Sequence, residues 1–550
     1  MGRALTVWIS RFTPEQMRTR EQSAPADGPL AGLRFAVKDN LDVAGLPTTA
    51  ACPALSDRVP GHDAEAVRRL AAAGAVPVGK TNMDQFATGL VGTRSPYGAC
   101  HSVASPDHIS GGSSSGSAVA VASGLVPLAL GTDTAGSGRV PAAFNGIVGV
   151  KPTRGLVSTR GLLPACRSLD CVTTFTRTVR EGRAALRVLA GHDAADPWSR
   201  RAPATRPPGI AASMRVVGVP SAPPELDPPH AEAWHAAVER VHETADTVVE
   251  VDITPFLAAA RLLYEGPWPA ERFAAFGELL TPDGPHLDPT VRRIALAGRD
   301  VTGEQVFAGL DRLAALRRAT EAVWDDVDAL MLPVTPGHPT LAAVAADPVG
   351  CNARLGMYTN FVNLLDLAAV AVPAGERSDG LPFGVQLVAP AFADDPLLDL
   401  ASRWCGESYK APRIDAGRTE LVVAGAHLSG LPLNGQLLAI GGRLHRRART
   451  APGYRLFRLP GTGVPRPGLV AAGDGPREGI AVEVWDVPHQ GVGALLESVP
   501  SPLGLGRVTL ADGTSATGFI TAHGGLAGAD DVSEHGGWRA YLAAKVIGAR

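Results

Sequence analysis

The chain has 550 residues, 45% of them hydrophobic and 19% charged, with a formal net charge of -3. That length exceeds one ordinary core and sets two or three domains as the expectation. The near-balanced charge and the lack of a basic block exclude an electrostatic case for nucleic acid. No apolar run of about 18 residues marks a membrane span. Cys52, Cys100, Cys166, Cys171, Cys351 and Cys405 form no CxxC pair and there is no HExxH, so no metal site is expected and the thiols read as free in a reducing cytosol.

The first residues, MGRALT, fit the myristoylation pattern, a match short enough to arise by chance, and no charged-then-apolar leader follows. Leu33, Phe35 and Val37 then alternate with Arg34, Ala36 and Lys38, a strand period ending in the Asp39-Asn40 turn signal. In this phase Lys38 falls on the polar face, where a solvated lysine is the ordinary outcome. Only five of the 51 basic residues are lysine: Lys38, Lys80, Lys151, Lys410 and Lys545. A coding bias toward Arg explains most of that scarcity, yet a lysine kept where arginine is the default marks a place where a removable proton matters. Next, AEAVRRLAAAGA (64–75) has helical periodicity, and such helices alternating with short strands imply a mixed sheet covered by helices.

GGSSSGS (111–117) runs straight into AVAVASGLVPLALG, an apolar helix-like segment, so it reads as that helix's N-terminal cap. Gly111 and Gly116 have the spacing of a phosphate loop, but Ser117 and Ala118 stand where its Lys and Ser/Thr belong, which removes the essential cation. The second loop, GTDTAGSGRVPA, lacks the G-x-S-x-G elbow because Ala135 precedes Gly136-Ser137-Gly138. No His or Asp is marked as its base, and Lys is the substitute in Ser-Lys variants.

Lys38, GGSSSGS and GTDTAGSGRVPA together resemble the amidase signature family in order and spacing. GKTNMDQFATGLVGTRSPYG and NGIVGVKPTRGLVSTRGLLP extend the likeness. The resemblance implies Lys38 as base, Ser113 as the middle serine that relays the proton, and Ser137 as nucleophile. A lysine can serve as base near neutrality only when burial or a nearby cation disfavours its charge. The backbone N–H groups of Thr134, Ala135, Gly136 and Ser137 are then expected to form the oxyanion hole. Gly138 departs from the general pattern, in which an aliphatic residue precedes the arginine. With FAVKDNLDVAGLPTTAACPA and GAHLSGLPLNGQL, that departure makes the chain similar to the allophanate hydrolases. About thirty residues precede the Lys38 strand, fewer than the family's usual N-terminal helices need.

An allophanate site needs a hydroxyl donor and an arginine fork for the carboxylate. By resemblance Tyr264 and Arg272, in LLYEGPWPAERFAAFG, are the substrate-holding pair, and Gly89 offers a backbone contact. After Arg413 the texture changes. An amidase domain over residues 1–410 and a linker over 411–420 are expected, then a small α+β domain over 421–550 with an antiparallel sheet and an Asp512-Gly513 hairpin turn. His427 is the candidate acid of a second site there. The resemblance further implies no cofactor, a cytoplasmic homodimer, and a functional link to a biotin-dependent urea carboxylase that makes allophanate. Two other readings stay open: another amidase, such as the catalytic component of a tRNA-dependent amidotransferase, and a catalytically inactive amidase-like binding protein.

Overall fold

Eleven strands of the first part of the chain build one sheet in the computed structural model. In chain order they are β1 (Trp8–Arg11), β2 (Arg34–Lys38), β3 (Val76–Thr81), β4 (Leu128–Asp133), β5 (Val148–Lys151) and β6 (Cys171–Thr176). There follow β7 (Val216–Pro220), β8 (Thr247–Val251), β9 (Ala329–Pro333), β10 (Leu367–Glu376) and β11 (Pro382–Pro390). Their order is β1-β3-β2-β4-β6-β5-β10-β11-β9-β7-β8. β2 runs parallel to both β3 and β4, whereas β6 is antiparallel to β4 and β5, so the sheet is mixed as expected. The structure describes residues 6–203, 210–211, 213–280, 286–407, 418–461, 463–521 and 523–547.

The central strands are buried on both faces, which is why their alternation is faint. In β2, Phe35 and Val37 enter one apolar cluster with Leu128 and Leu130, and Ala36 enters another with Ala118 and Val119 of the helix Ser115–Ala122. That helix lies over the face read as polar, and Lys38 is fully buried beneath it. The apolar segment after GGSSSGS divides in two: Gly124, at φ +74°, stops the helix, and the remainder becomes β4. Nor does the loop cap the helix with a side chain, because Ser114 Oγ donates to Thr132 O (3.0 Å) instead. Before β2 stand β1 and a helix, Pro14–Ser23.

The described chain divides into a unit ending at residue 407 and a second beginning at 418. Of the expected linker 411–420, residues 411–417 lie outside the described residues, and 418–420 already belong to the strand Arg418–Val423. The myristoylation match and Lys410 also lie wholly or largely outside them. The second unit carries a five-stranded and a three-stranded sheet. Its larger sheet is not fully antiparallel, since Arg418–Val423 pairs in parallel with Ser515–Thr521. The Asp512-Gly513 turn folds Ser515–Thr521 back along Leu503–Thr509 as expected, and the other edge of Ser515–Thr521 is taken by Arg418–Val423 running in the same direction. Trp485, Leu421 and Val422 lie at the centre of that unit's core.

Candidate active site

Lys38 ends β2, and the parallel β4 runs two residues past it to Thr132 and Asp133. Lys38 Nζ donates to Ser113 Oγ (2.8 Å) and to Thr132 Oγ1 (2.8 Å), and Ser113 Oγ donates to Ser137 Oγ (3.0 Å). All four side chains are buried. The Gly112–Ser113 peptide is cis. Burial lowers the pKa of the Lys38 ammonium to about 7, against the opposing pull of Asp84, Asp170 and Asp133. The structure thus brings Lys38, Ser113 and Ser137 into one hydrogen-bonded chain.

The turn that presents Ser137 is built on a buried ion pair. Arg139 Nε and Nη2 donate to the two oxygens of Asp133, each at 3.0 Å, while Nη1 reaches Gln386 Oε1 and Thr359 O. Burial alone would raise the Asp133 carboxyl, but Arg139, with Lys151 and the Gly138 N–H, holds the group below its ordinary range. Asp133 also accepts from Gly136 N (2.7 Å) and Gly138 N (3.0 Å). This corrects the expected oxyanion set: the Gly136 N–H is already engaged by Asp133. Among the described residues the N–H groups of Thr134, Ala135 and Ser137 have no acceptor. Gly136 serves shape instead, for it sits at φ +135° and a Cβ there would lie 2.4 Å from Thr359 Oγ1.

Arg272 lies in the helix Trp268–Phe276 and is buried. Its Nη1 donates to Thr88 Oγ1 (3.0 Å), its guanidinium carbon stands 5.9 Å from the Tyr264 ring centroid, and its Nε has no partner. Among the described residues it forms no ion pair. Asn352 connects the neighbourhood: its Nδ2 donates to Tyr264 Oη (3.3 Å) and its Oδ1 accepts from Leu90 N (2.7 Å). Gly89, between Thr88 and Leu90, is therefore bracketed by the contacts of Arg272 and Asn352. A buried guanidinium without a carboxylate is costly to hold unless an anion completes it.

Sequence reading misses several residues here. Thr132 and Asp133 pass as part of a glycine loop, although Asp133 and Arg139 flank the Ser137 turn as the opposite charges of an otherwise neutral segment. Asp170 carries no signal at all. It is buried, its carboxyl is pushed up to about 6 by that burial, and it accepts from Thr134 Oγ1 (2.5 Å) and Ala165 N (2.9 Å). His427 is placed in the second unit. Its Nε2 meets Gln436 Oε1 at 2.9 Å, and its ring stacks on Phe519 at 4.9 Å. Burial lowers its pKa, with Gln436 opposing and Arg466 adding to the effect. It lines a 40 Å³ cavity with Gln436, Arg466, Ser498 and Phe519.

A mixed sheet with a buried Lys-Ser-Ser chain at its strand ends is the architecture of an amide-bond-cleaving class. The chain belongs to the Amidase family, whose profile matches residues 4–398, and residues 419–543 match the family described as Allophanate hydrolase C-terminal domain. It is 40% identical over 571 residues to urea amidolyase of Saccharomyces cerevisiae, an alignment covering 97% of this chain and 31% of that protein. The chain thus spans about a third of that relative's length. The allophanate hydrolase structure from Kluyveromyces lactis, selenomethionine-substituted, superposes with a TM-score of 0.75 at 39% identity, covering 98% of this chain and 94% of that one. The A component of the glutamyl-tRNA(Gln) amidotransferase of Natronomonas pharaonis is 36% identical, covering 70% of this chain and 98% of that protein. Among the described residues no helix is long and apolar enough to cross a membrane.

Proposed function

We propose that the chain is an allophanate hydrolase that releases ammonia and carbon dioxide from allophanate through a Ser137 acyl-enzyme. The observation that carries this reading is the buried chain Lys38–Ser113–Ser137, with contacts of 2.8 and 3.0 Å. With its pKa near 7, Lys38 is neutral in a substantial fraction at neutral pH and can accept a proton. Ser113 passes the Ser137 proton to Lys38 as Ser137 Oγ attacks the terminal amide carbonyl. The free N–H groups of Thr134, Ala135 and Ser137 receive the oxyanion. The same relay returns the proton to the leaving nitrogen, and ammonia departs. Water, activated in reverse by the relay, then cleaves the ester to free N-carboxycarbamate and regenerate Ser137.

Arg272 supports the substrate assignment, since its unpaired buried fork suits the carboxylate that allophanate carries and simple amides lack. Tyr264 supplies a hydroxyl and Gly89 a backbone contact in the same neighbourhood. The second unit processes the N-carboxycarbamate with His427 as its acid. The amidotransferase reading accounts for 70% of the chain and leaves the second unit without a task. We place the enzyme in the cytoplasm as a homodimer, supplied with allophanate by a biotin-dependent urea carboxylase. The test is ammonia release from allophanate, simple amides and glutamine. Allophanate should be strongly preferred and Ser137→Ala should abolish turnover; preference for glutamine would overturn the reading.

A further inference from the structure

The loop just before β6 joins the nucleophile's turn to the substrate helix. Asp170 is buried and forms no ion pair among the described residues; its carboxylate is held by Thr134 Oγ1 (2.5 Å) and Ala165 N (2.9 Å). A few residues earlier Ser168 donates through N (2.7 Å) and Oγ (2.6 Å) to the two oxygens of Glu271, the residue before Arg272. One short loop therefore grips the Ser137 turn at one end and the arginine-bearing helix at the other. Thr134 itself spends its hydroxyl on Asp170 and leaves its N–H free, as an oriented donor requires. With no cation in contact, and Lys38 and Arg272 acting on it only from farther away, a buried carboxylate depends on its hydrogen-bond donors to offset its desolvation cost.

We infer that Asp170 is a positioning residue for the Ser137 reaction: by holding the Thr134 side chain it aims the free N–H groups of that turn at the developing oxyanion, and through Ser168 and Glu271 it fixes that aim relative to Arg272. This rests on Ser137 being the nucleophile. A displaced donor costs rate in the transition state and leaves ground-state binding largely intact.

The experiment compares Thr134→Val, which keeps the shape and removes the hydroxyl, with Thr134→Ser, Asp170→Asn and the Thr134→Val/Asp170→Asn pair. Two rates are read: kcat and KM on allophanate, and modification of Ser137 by phenylmethanesulfonyl fluoride followed by intact mass. Thr134→Val should lower both rates about 10- to 100-fold with KM changed less than about threefold, and Thr134→Ser should recover them. The double variant should lose no more than the larger single loss, because one contact is being removed. Wild-type rates in folded Thr134→Val, no recovery by Thr134→Ser, or multiplicative losses in the pair would overturn the inference. If wild type releases no ammonia from allophanate, the substrate assignment fails while the sulfonylation rates still decide the role of Asp170. A wild type inert to both reagents removes Ser137 as nucleophile and this inference with it.

Discussion

Lys38 and Lys80 lie on neighbouring parallel strands, both fully buried, and of the two only Lys80 has a carboxylate partner among the described residues, Asp39 Oδ1 at 3.2 Å. Lys38 has hydroxyls in that place, Ser113 and Thr132. A hydroxyl can satisfy an ammonium hydrogen without compensating its charge, so the burial cost of Lys38 stays largely unrelieved. Burial lowers the pKa of both ammoniums, with Asp39 opposing it at Lys80, and the hydroxyls beside Lys38 are the partners that a proton-exchanging lysine needs.

Replacing Lys38 by Met should therefore slow turnover and stabilise the fold. The proposed base would work only when neutral, so wild-type activity should rise as pH passes upward through about 7 and fall below it. The folded value lies under the ordinary value of 10.5, so the unfolded chain binds the extra proton between those limits, and stability rises with pH across that window. Below it the full penalty is present, on the order of 5 kcal/mol. Lys38→Met should cost roughly 10²- to 10⁴-fold in kcat. Its thermal midpoint should exceed wild type's by most near pH 6, with the gap closing toward pH 10. A midpoint below wild type's at pH 6 would contradict the unrelieved charge.

Arg272→Lys keeps the charge and loses the planar fork. Two charge-assisted bonds become at best one, so KM for allophanate should rise about 10- to 100-fold. Hydrolysis of an uncharged amide should change little. Equal losses on both substrates would make Arg272 a packing residue of the helix Trp268–Phe276.

Asp133 and Arg139 should behave as one unit. Arg139→Met strands the Asp133 carboxylate in the core and should cost about 3 to 5 kcal/mol in urea unfolding. The double variant Asp133→Asn/Arg139→Met should be less damaged than that single, because no charge is left unpaired. Additive losses in the double would show that the two side chains contribute separately.

The motifs with chemistry in them are legible because reacting residues sit in short, glycine-rich segments of fixed spacing. Ser113 and Ser137 stand out in this way as candidates, Lys38 enters as base only through the family resemblance, and the hairpin at Asp512-Gly513 shows in its turn chemistry. What stays hidden depends on tertiary cover. Lys38 falls on a polar face by pattern because alternation along β2 cannot tell that the helix Ser115–Ala122 lies over that face. Gly136 counts as an oxyanion donor until Asp133, three residues before it, is seen to accept its N–H. Asp170 is remote in sequence from Thr134, and its surroundings contain no pattern that distinguishes a buried acceptor from a surface aspartate.

His427 offers the last test, because its surroundings favour one step over another. In the proposed reaction, hydrolysis at Ser137 would leave N-carboxycarbamate, which frees its nitrogen only after losing carbon dioxide, and protonation of that nitrogen would assist the C–N cleavage. The imidazole is oriented by Gln436 and Phe519, and burial depresses its pKa, so the neutral ring dominates at pH 7. A carboxylated substrate entering the cavity beside Arg466 adds negative charge, which raises the His427 pKa and recruits the proton when it is needed. His427→Ala in the full chain should leave release of the first ammonia within about twofold of wild type, since the Ser137 site is intact. Carbon dioxide from carbon-labelled allophanate should lag behind that ammonia, and the lag should lengthen as pH rises and spontaneous protonation fades. Gln436→Leu removes the acceptor that orients the ring and should produce a smaller lag of the same kind. If labelled carbon dioxide appeared as fast from His427→Ala as from wild type, the cavity of the second unit would have no part in breaking that bond.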